Sequence, residues 1–247
     1  MIARREAAAD PPLRVAVPKG ALFEDSVRLL AAAGLDTADL ATPGRQLIVR
    51  GEGVEYIIGR PTDIPVYAAY GGADCAIAGK DVLVEAGLDV VELVDLDFGG
   101  CRFIVAEPED AEGEASERAR HLGVVRVATK YPNITAAYFD SIGVQVEIVK
   151  LHGNIELAPL IGLADQIVDI TATGTTLRQN RLRIVGEVLE STARFVGNPA
   201  AVRTDPRVVE LADALSALSV ESGAPALPDQ NTEARGLEDT GEDAMQP

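Results

Sequence analysis

The sequence predicts an α/β protein built as two lobes, with mainly parallel sheets and a cleft between them. Three observations carry that expectation. Short runs of Val, Ile and Leu alternate with stretches of helical spacing, the pattern of strands joined by crossover helices. The composition is 47% hydrophobic but only 4% aromatic, with no Trp, which suits Val/Ile strands under Ala/Leu helices. The alternation also comes in two cycles that part near Gly99-Gly100. At 247 residues the chain is long enough for one large domain or two small ones with a sizeable core.

Leu13 to Val17 reads as a strand, closed by the turn Pro18-Lys19-Gly20. Glu24 to Ala33 has helical spacing through Val27, Leu29 and Leu30 and stops at Gly34. Gln46 to Val49 and Val54 to Ile58 flank Gly51-Glu52-Gly53 as a β-hairpin, and Asp63 to Tyr70 is a helix. Strand Ala73 to Ala78, helix Asp81 to Ala86 and strand Val90 to Val94 follow. The second cycle opens with strand Cys101 to Ala106 and a helix through the acidic segment. Strands Arg126 to Thr129, Gln145 to Val149 and Gln166 to Ile170 then alternate with helices Ile134 to Ile142 and Glu156 to Leu163. Arg183 to Leu189 and Thr192 to Phe195 are two further strands, and Asp205 to Leu218 is a helix. Residues 13–100 with 182–218 are expected to form lobe I, and 101–181 lobe II. Residues 1–12 and the acidic tail 219–247, which lacks periodicity, are expected to be disordered.

Charge narrows the function classes. A net charge of −17 argues against nucleic acid or an anionic membrane surface as partner. Six of the eleven residues from Glu107 to Glu117 are acidic, and both this run and the tail read as solvated segments. An anionic substrate therefore has to be met by a local basic cluster. Cys75 and Cys101 give no disulfide framework or metal pattern and read as buried thiols, and no apolar run is long enough to span a membrane. A reducing cytoplasm is the expected compartment.

The segment Asp169-Ile170-Thr171-Ala172-Thr173-Gly174-Thr175-Thr176-Leu177 leaves a buried strand and is small, hydroxylated and centred on a glycine. Such a backbone can gather N–H groups and hydroxyls around a phosphate. Asp169 stands at a strand's carboxyl end, suited to accepting hydrogen bonds from sugar hydroxyls. The same residues also make an ordinary Thr-capped turn. Other strand ends offer cations: Lys19 after the first strand, Arg60 before a Pro-fixed turn, and Arg45 as a weaker candidate. Asp63 is suited to capping the next helix. Gly79-Lys80 repeats the strand–glycine–helix design, and Glu156 lies thirteen residues before Asp169. For Lys19, Arg45 and Lys80 an exposed surface side chain is the competing reading.

In this order the segments resemble the ATP phosphoribosyltransferase family. The resemblance runs from Val17-Pro18-Lys19-Gly20-Ala21-Leu22 through Gly59-Arg60-Pro61-Thr62-Asp63-Ile64-Pro65 and Ile77-Ala78-Gly79-Lys80-Asp81. It continues through Ala128-Thr129-Lys130-Tyr131-Pro132-Asn133 and His152-Gly153-Asn154-Ile155-Glu156 to the Asp169–Leu177 segment. It implies a two-lobed periplasmic-binding-protein-like (type II) fold with the site in the cleft. The implied activity joins N1 of the adenine of ATP to C1′ of phosphoribosyl pyrophosphate, releasing pyrophosphate, as the first step of histidine biosynthesis. Thr173, Gly174, Thr175, Thr176 and Leu177 would then bind the 5-phosphate, Asp169 the ribose hydroxyls, and Lys19 and Arg60 the polyphosphates, helped by Arg45. Gly79, Lys80 and Glu156 would complete the substrate site. Mg²⁺ would arrive on the substrate phosphates, with no metal site of the protein's own. Ala21 departs from the Arg that many members carry.

With only an acidic tail where long forms carry a regulatory domain, the chain resembles the short form. It is expected as a homodimer joined by a regulatory subunit similar to histidyl-tRNA synthetase. Two other readings fit the same lobes: a non-catalytic small-molecule binding protein, and a phosphoribosyltransferase with a different acceptor.

Overall fold

The computed structural model describes residues 11–111, 113, 121, 123–171 and 174–222. Two sheets organise them. The first runs in the order β2 (Ile48–Gly51), β3 (Val54–Gly59), β1 (Leu13–Pro18), β4 (Cys75–Gly79), β11 (Ala193–Gly197), β5 (Val91–Asp95). The second runs β10 (Leu182–Ser191), β6 (Cys101–Pro108), β9 (Gln166–Thr171), β7 (Val125–Thr129), β8 (Val146–Lys150). The sheets are mixed. β3, β1 and β4 are parallel neighbours, as are β8, β7 and β9. Antiparallel partners enter through the β2–β3 hairpin and through β11, β6 and β10, the strands that flank the crossings between lobes.

One expected boundary moves. Residues 182–191 do not belong with the first sheet, because β10 pairs antiparallel with β6 from Leu182↔Pro108 to Ser191↔Cys101. The chain therefore returns to the first sheet at Thr192, between β10 and β11. The expected helix Glu156–Leu163 is a single turn, Leu157–Leu160, which contains Pro159. The last helix runs from Pro206 to Ser222, past the expected start of the tail at 219. Residues 1–10, 223–247 and most of the acidic-segment helix lie outside the described residues. Glu107, the first acid of that segment, is buried on β6 and accepts from Arg183 Nη2 at 2.6 Å and Gln166 Nε2 at 2.9 Å. Cys75 is buried as expected, whereas Cys101 is partly exposed.

Strand alternation builds the cores. Val15 and Val17 of β1 face Tyr56, Phe195 and the last helix through Val208, Leu211 and Leu215. Ala16 and the β4 alanines Ala76 and Ala78 face the other way, letting helices pack closely through Ile64, Ala68 and Val82. In the second sheet Ile104, Ala106, Ala128 and Ile167 line one face, and Phe103, Val127 and Val168 the other. Each fully buried large side chain contributes about 1.5–3 kcal/mol.

The same polar device starts the central pair of both sheets. Asp74, just before β4, accepts from Arg14 N and Arg14 Nη2, both at 2.8 Å. Asp165, just before β9, accepts from Arg126 N at 2.9 Å and Arg126 Nη2 at 3.1 Å. The strands so aligned end at carboxyl edges that are brought together where the helix Lys80–Ala86 contacts the helix Pro132–Ser141.

Candidate active site

Three strand ends of the second sheet converge on one cavity of about 420 Å³. β7 delivers Lys130, and the segment after β8 delivers Asn154 and Glu156. β9 and the turn beyond it deliver Asp169, Thr171, Thr175, Thr176 and Leu177. Asp169, Glu156, Thr175, Thr176 and Leu177, all singled out from sequence, thus meet in one place, while Thr173 lies outside the described residues. Gly174 is buried at the head of the short helix Thr175–Gln179 with φ of 68°, a left-handed value that glycine adopts without strain. Its N–H donates to Thr171 Oγ1 at 2.7 Å, which closes the turn on itself.

Asp169 is the electrostatic focus of this cavity. Withdrawal from water pushes its carboxyl above the ordinary aspartate value. The Ile170 N–H, donating at 2.9 Å, and the nearby Lys130 charge pull it back down, while Glu156 adds to the rise. Lys130 and Asn154 also line the cavity, and the sequence alone gives them no role. A signal for Lys130 was available: it follows β7, the first strand of its parallel trio, as Lys19 follows β1 in the other sheet.

On the first sheet, Lys19 donates its N–H to Gly59 O at 2.8 Å and is exposed. It lines an open cavity of about 550 Å³ with Gly20, Ala21, Glu24, Gly44 and Gln46. Arg45 sits in the loop beside that cavity without lining it, and Arg60 is exposed at the start of the turn Pro61–Asp63. Lys19, Arg45 and Arg60 make no ion pair among the described residues. Asp63 holds the cap position of the next helix, but its side chain makes no capping bond.

Lys80 and Gly79 behave differently from expectation. The Lys80 ammonium pairs with Glu92 on β5 at 2.6 Å, so its charge is spent inside the first sheet. Gly79 is buried, and the space a side chain would need is filled by the Asp81 carboxylate. Asp81 in turn accepts from the Ser191 hydroxyl at 2.9 Å, next to the crossing between lobes.

A third cavity, of about 300 Å³, lies between the lobes. Thr62, Val82 and Glu85 line it from the first, and Lys130, Tyr131, Leu151 and His152 from the second. Lys130 therefore borders both this space and the Asp169 cavity. The Tyr131 ring packs edge-on against Phe103 with centroids 4.7 Å apart, and burial pushes its hydroxyl pKa up. Together the strand ends offer a hydroxyl-lined turn with an acid beside it on the second sheet, and cations on the first sheet that make no ion pair among the described residues.

Known proteins match this arrangement. Residues 60–217 match the family described as ATP phosphoribosyltransferase (HisG). An ATP phosphoribosyltransferase of Rubrobacter xylanophilus is 50% identical over 191 residues, covering 77% of this chain and 88% of that protein. One of Moorella thermoacetica is 49% identical, covering 85% and 95%. Among solved structures, the Thermotoga maritima ATP phosphoribosyl transferase (HisG:HisZ) complex superposes with a TM-score of 0.70 at 32% identity, covering 85% of this chain and 99% of that one. An L-arginine-bound protein, Tv2483, reaches a TM-score of 0.52 at 12% identity, which speaks for the periplasmic-binding-protein-like fold alone. The matched span includes the turn that begins at Arg60, Lys130 and the whole Asp169 cavity, and on these grounds the chain belongs to the ATP phosphoribosyltransferase family.

Proposed function

We propose that this chain transfers the phosphoribosyl group of phosphoribosyl pyrophosphate to N1 of the adenine of ATP, releasing pyrophosphate, as the first step of histidine biosynthesis. One observation supports this reading above the others. Asp169, Thr171, Thr175, Thr176 and Leu177 share with Glu156 and Lys130 a cavity of about 420 Å³ at the carboxyl edge of a parallel trio. In this reading the turn Gly174-Thr175-Thr176 receives the 5-phosphate and Asp169 accepts hydrogen bonds from the ribose hydroxyls. As the C1′–O bond to pyrophosphate breaks, positive charge develops at C1′, and the Asp169 carboxylate faces it across a partly dry site. Lys19 and Arg60 carry the polyphosphate charge from the other sheet, with Arg45 in support. Most of the catalysis is positioning and charge handling, and no covalent nucleophile is required.

Mg²⁺ in this reading comes bound to the phosphates, and Asp169 and Glu156 are the carboxylates in the cavity that would meet its water shell. A regulatory partner belongs to the same proposal, because the similar Thermotoga maritima chain was solved in a HisG:HisZ complex. Among the described residues, no helix is long and apolar enough to cross a membrane.

The test mixes the protein with Mg²⁺, ATP and phosphoribosyl pyrophosphate and follows phosphoribosyl-ATP by ultraviolet absorbance, with and without a histidyl-tRNA-synthetase-like subunit. Product formation is expected. Its absence under both conditions would sink the reading, and product from another purine but not ATP would change the acceptor.

A further inference from the structure

The two halves of the site stand on different sheets, and the Glu85 side chain is one of the ties between them. Glu85 belongs to the helix Lys80–Ala86 of the first lobe. Its carboxylate accepts from the backbone N–H of Asn133 at 3.1 and 3.2 Å and of Ile134 at 3.0 Å, both in the second lobe. Its own carbonyl accepts from Asn133 Nδ2 at 2.8 Å. Those amides open the ten-residue helix Pro132–Ser141, whose N-cap residue Tyr131 offers no side-chain cap. A carboxylate there meets unsatisfied N–H groups and the positive end of the helix at once, so the joint has direction as well as strength.

What the joint holds is functional. Lys130 lies immediately before Tyr131 and lines the Asp169 cavity. On its own side, Glu85 shares the interlobe space with Thr62, in the turn that Arg60 opens. We infer that Glu85 is a positioning residue that locks the turn carrying Lys130 against the lobe carrying Lys19 and Arg60. It thereby sets the register between phosphoribosyl donor and nucleotide acceptor. This inference rests on the phosphoribosyl-transfer reading. Transfer between two bound polyanions is sensitive to placement, and a displacement of about 1 Å costs about 100-fold in rate. The 5-phosphate and ribose contacts of the donor, in the Asp169 cavity, all lie within the second lobe, so loosening the joint costs donor binding only what the first-lobe cations add at the pyrophosphate. Glutamine keeps the side chain's length and one acceptor oxygen, and so retains part of the effect.

The experiment compares Glu85→Ala and Glu85→Gln with the unaltered full chain, adding the regulatory subunit where the wild type needs it. In Glu85→Ala, kcat for phosphoribosyl-ATP should fall about 10- to 100-fold, with a smaller loss in Glu85→Gln. The calorimetric Kd for phosphoribosyl pyrophosphate should rise by a much smaller factor than kcat falls in both. Hydrogen exchange at the Asn133 and Ile134 amides should quicken in Glu85→Ala, a readout that needs no turnover. Wild-type kcat or unchanged exchange in Glu85→Ala would overturn the proposal. So would donor affinity falling as far as kcat. A wild-type chain that binds phosphoribosyl pyrophosphate but makes no product would instead refute the transfer reaction, and the exchange rates alone would then decide the joint.

Discussion

Asp169 shows how a functional group is kept at some expense to the fold. Burial raises its pKa, so the native state favours the protonated carboxyl relative to the unfolded chain. That preference stabilises fully below the ordinary aspartate value and is lost as pH rises through the raised native value. At neutral pH the ionised side chain is therefore a net burden that Lys130 only partly relieves. Asp169→Asn is expected to melt at or above the wild-type temperature near neutral pH, yet to lose about 10- to 100-fold in kcat/KM, the worth of one charged hydrogen bond. Its rate profile should also lack the acid limb expected of the wild type from protonation of Asp169, whose carboxyl burial raises. Thermal melts and initial rates across pH check both halves, and a less stable variant with an unchanged rate would contradict them. Asp169 was legible because its acid sits beside a hydroxyl-rich turn. The pairing of Lys80 with Glu92 was not, because nothing local in Gly79-Lys80-Asp81 says which neighbouring strand will offer a carboxylate.

At the level of elements, turns that hold the cations depend on tight backbone approaches. Gly59 closes β3, and its carbonyl receives the Lys19 N–H. A Cβ there would stand 2.6 Å from Tyr67 Cε2 and 3.2 Å from Ile64 Cδ1, inside contact distance of a partly buried ring edge. Gly59→Ala should cost about 1–3 kcal/mol in urea unfolding, the usual penalty of overpacking. Adding Tyr67→Ala removes the clashing ring, so the double variant should be less destabilised than the sum of the two single changes. Equal additivity would mean that the strain lies elsewhere. The strands flanking this turn were readable because period-2 alternation and bounding glycines are local signals. β10 was readable as a strand but not as a member of the second sheet. Its partner β6 lies 76 residues earlier at Arg183↔Glu107, and the buried Glu107 that pairs with Arg183 in this register looks in sequence like part of a solvated acidic run.

Across the whole molecule, two lobes built on the same plan present their carboxyl edges to each other. β1 and β7 lead the two parallel trios, Asp74 and Asp165 align their neighbours, and Lys19 and Lys130 follow them. Two anionic substrates must reach these cations against a net charge of −17. The segment beyond Ser222 holds six acidic residues and one Arg, so removing it changes the net charge from −17 to −12. The family match ends at residue 217, short of that segment. Truncation after Ser222 should therefore leave the melting temperature unchanged. Truncation before Ser219 should lower it, because Ser219 is buried and its hydroxyl donates to Leu215 O at 3.0 Å in the last turns of the helix. The shorter chain also repels its substrates less. At low ionic strength kcat/KM for both substrates should rise about two- to fivefold on truncation after Ser222. The gain should vanish near 0.15 M salt, where the Debye length is about 8 Å. A salt-independent change would point to contact rather than field, and no change at low salt would show that the local cations alone govern capture.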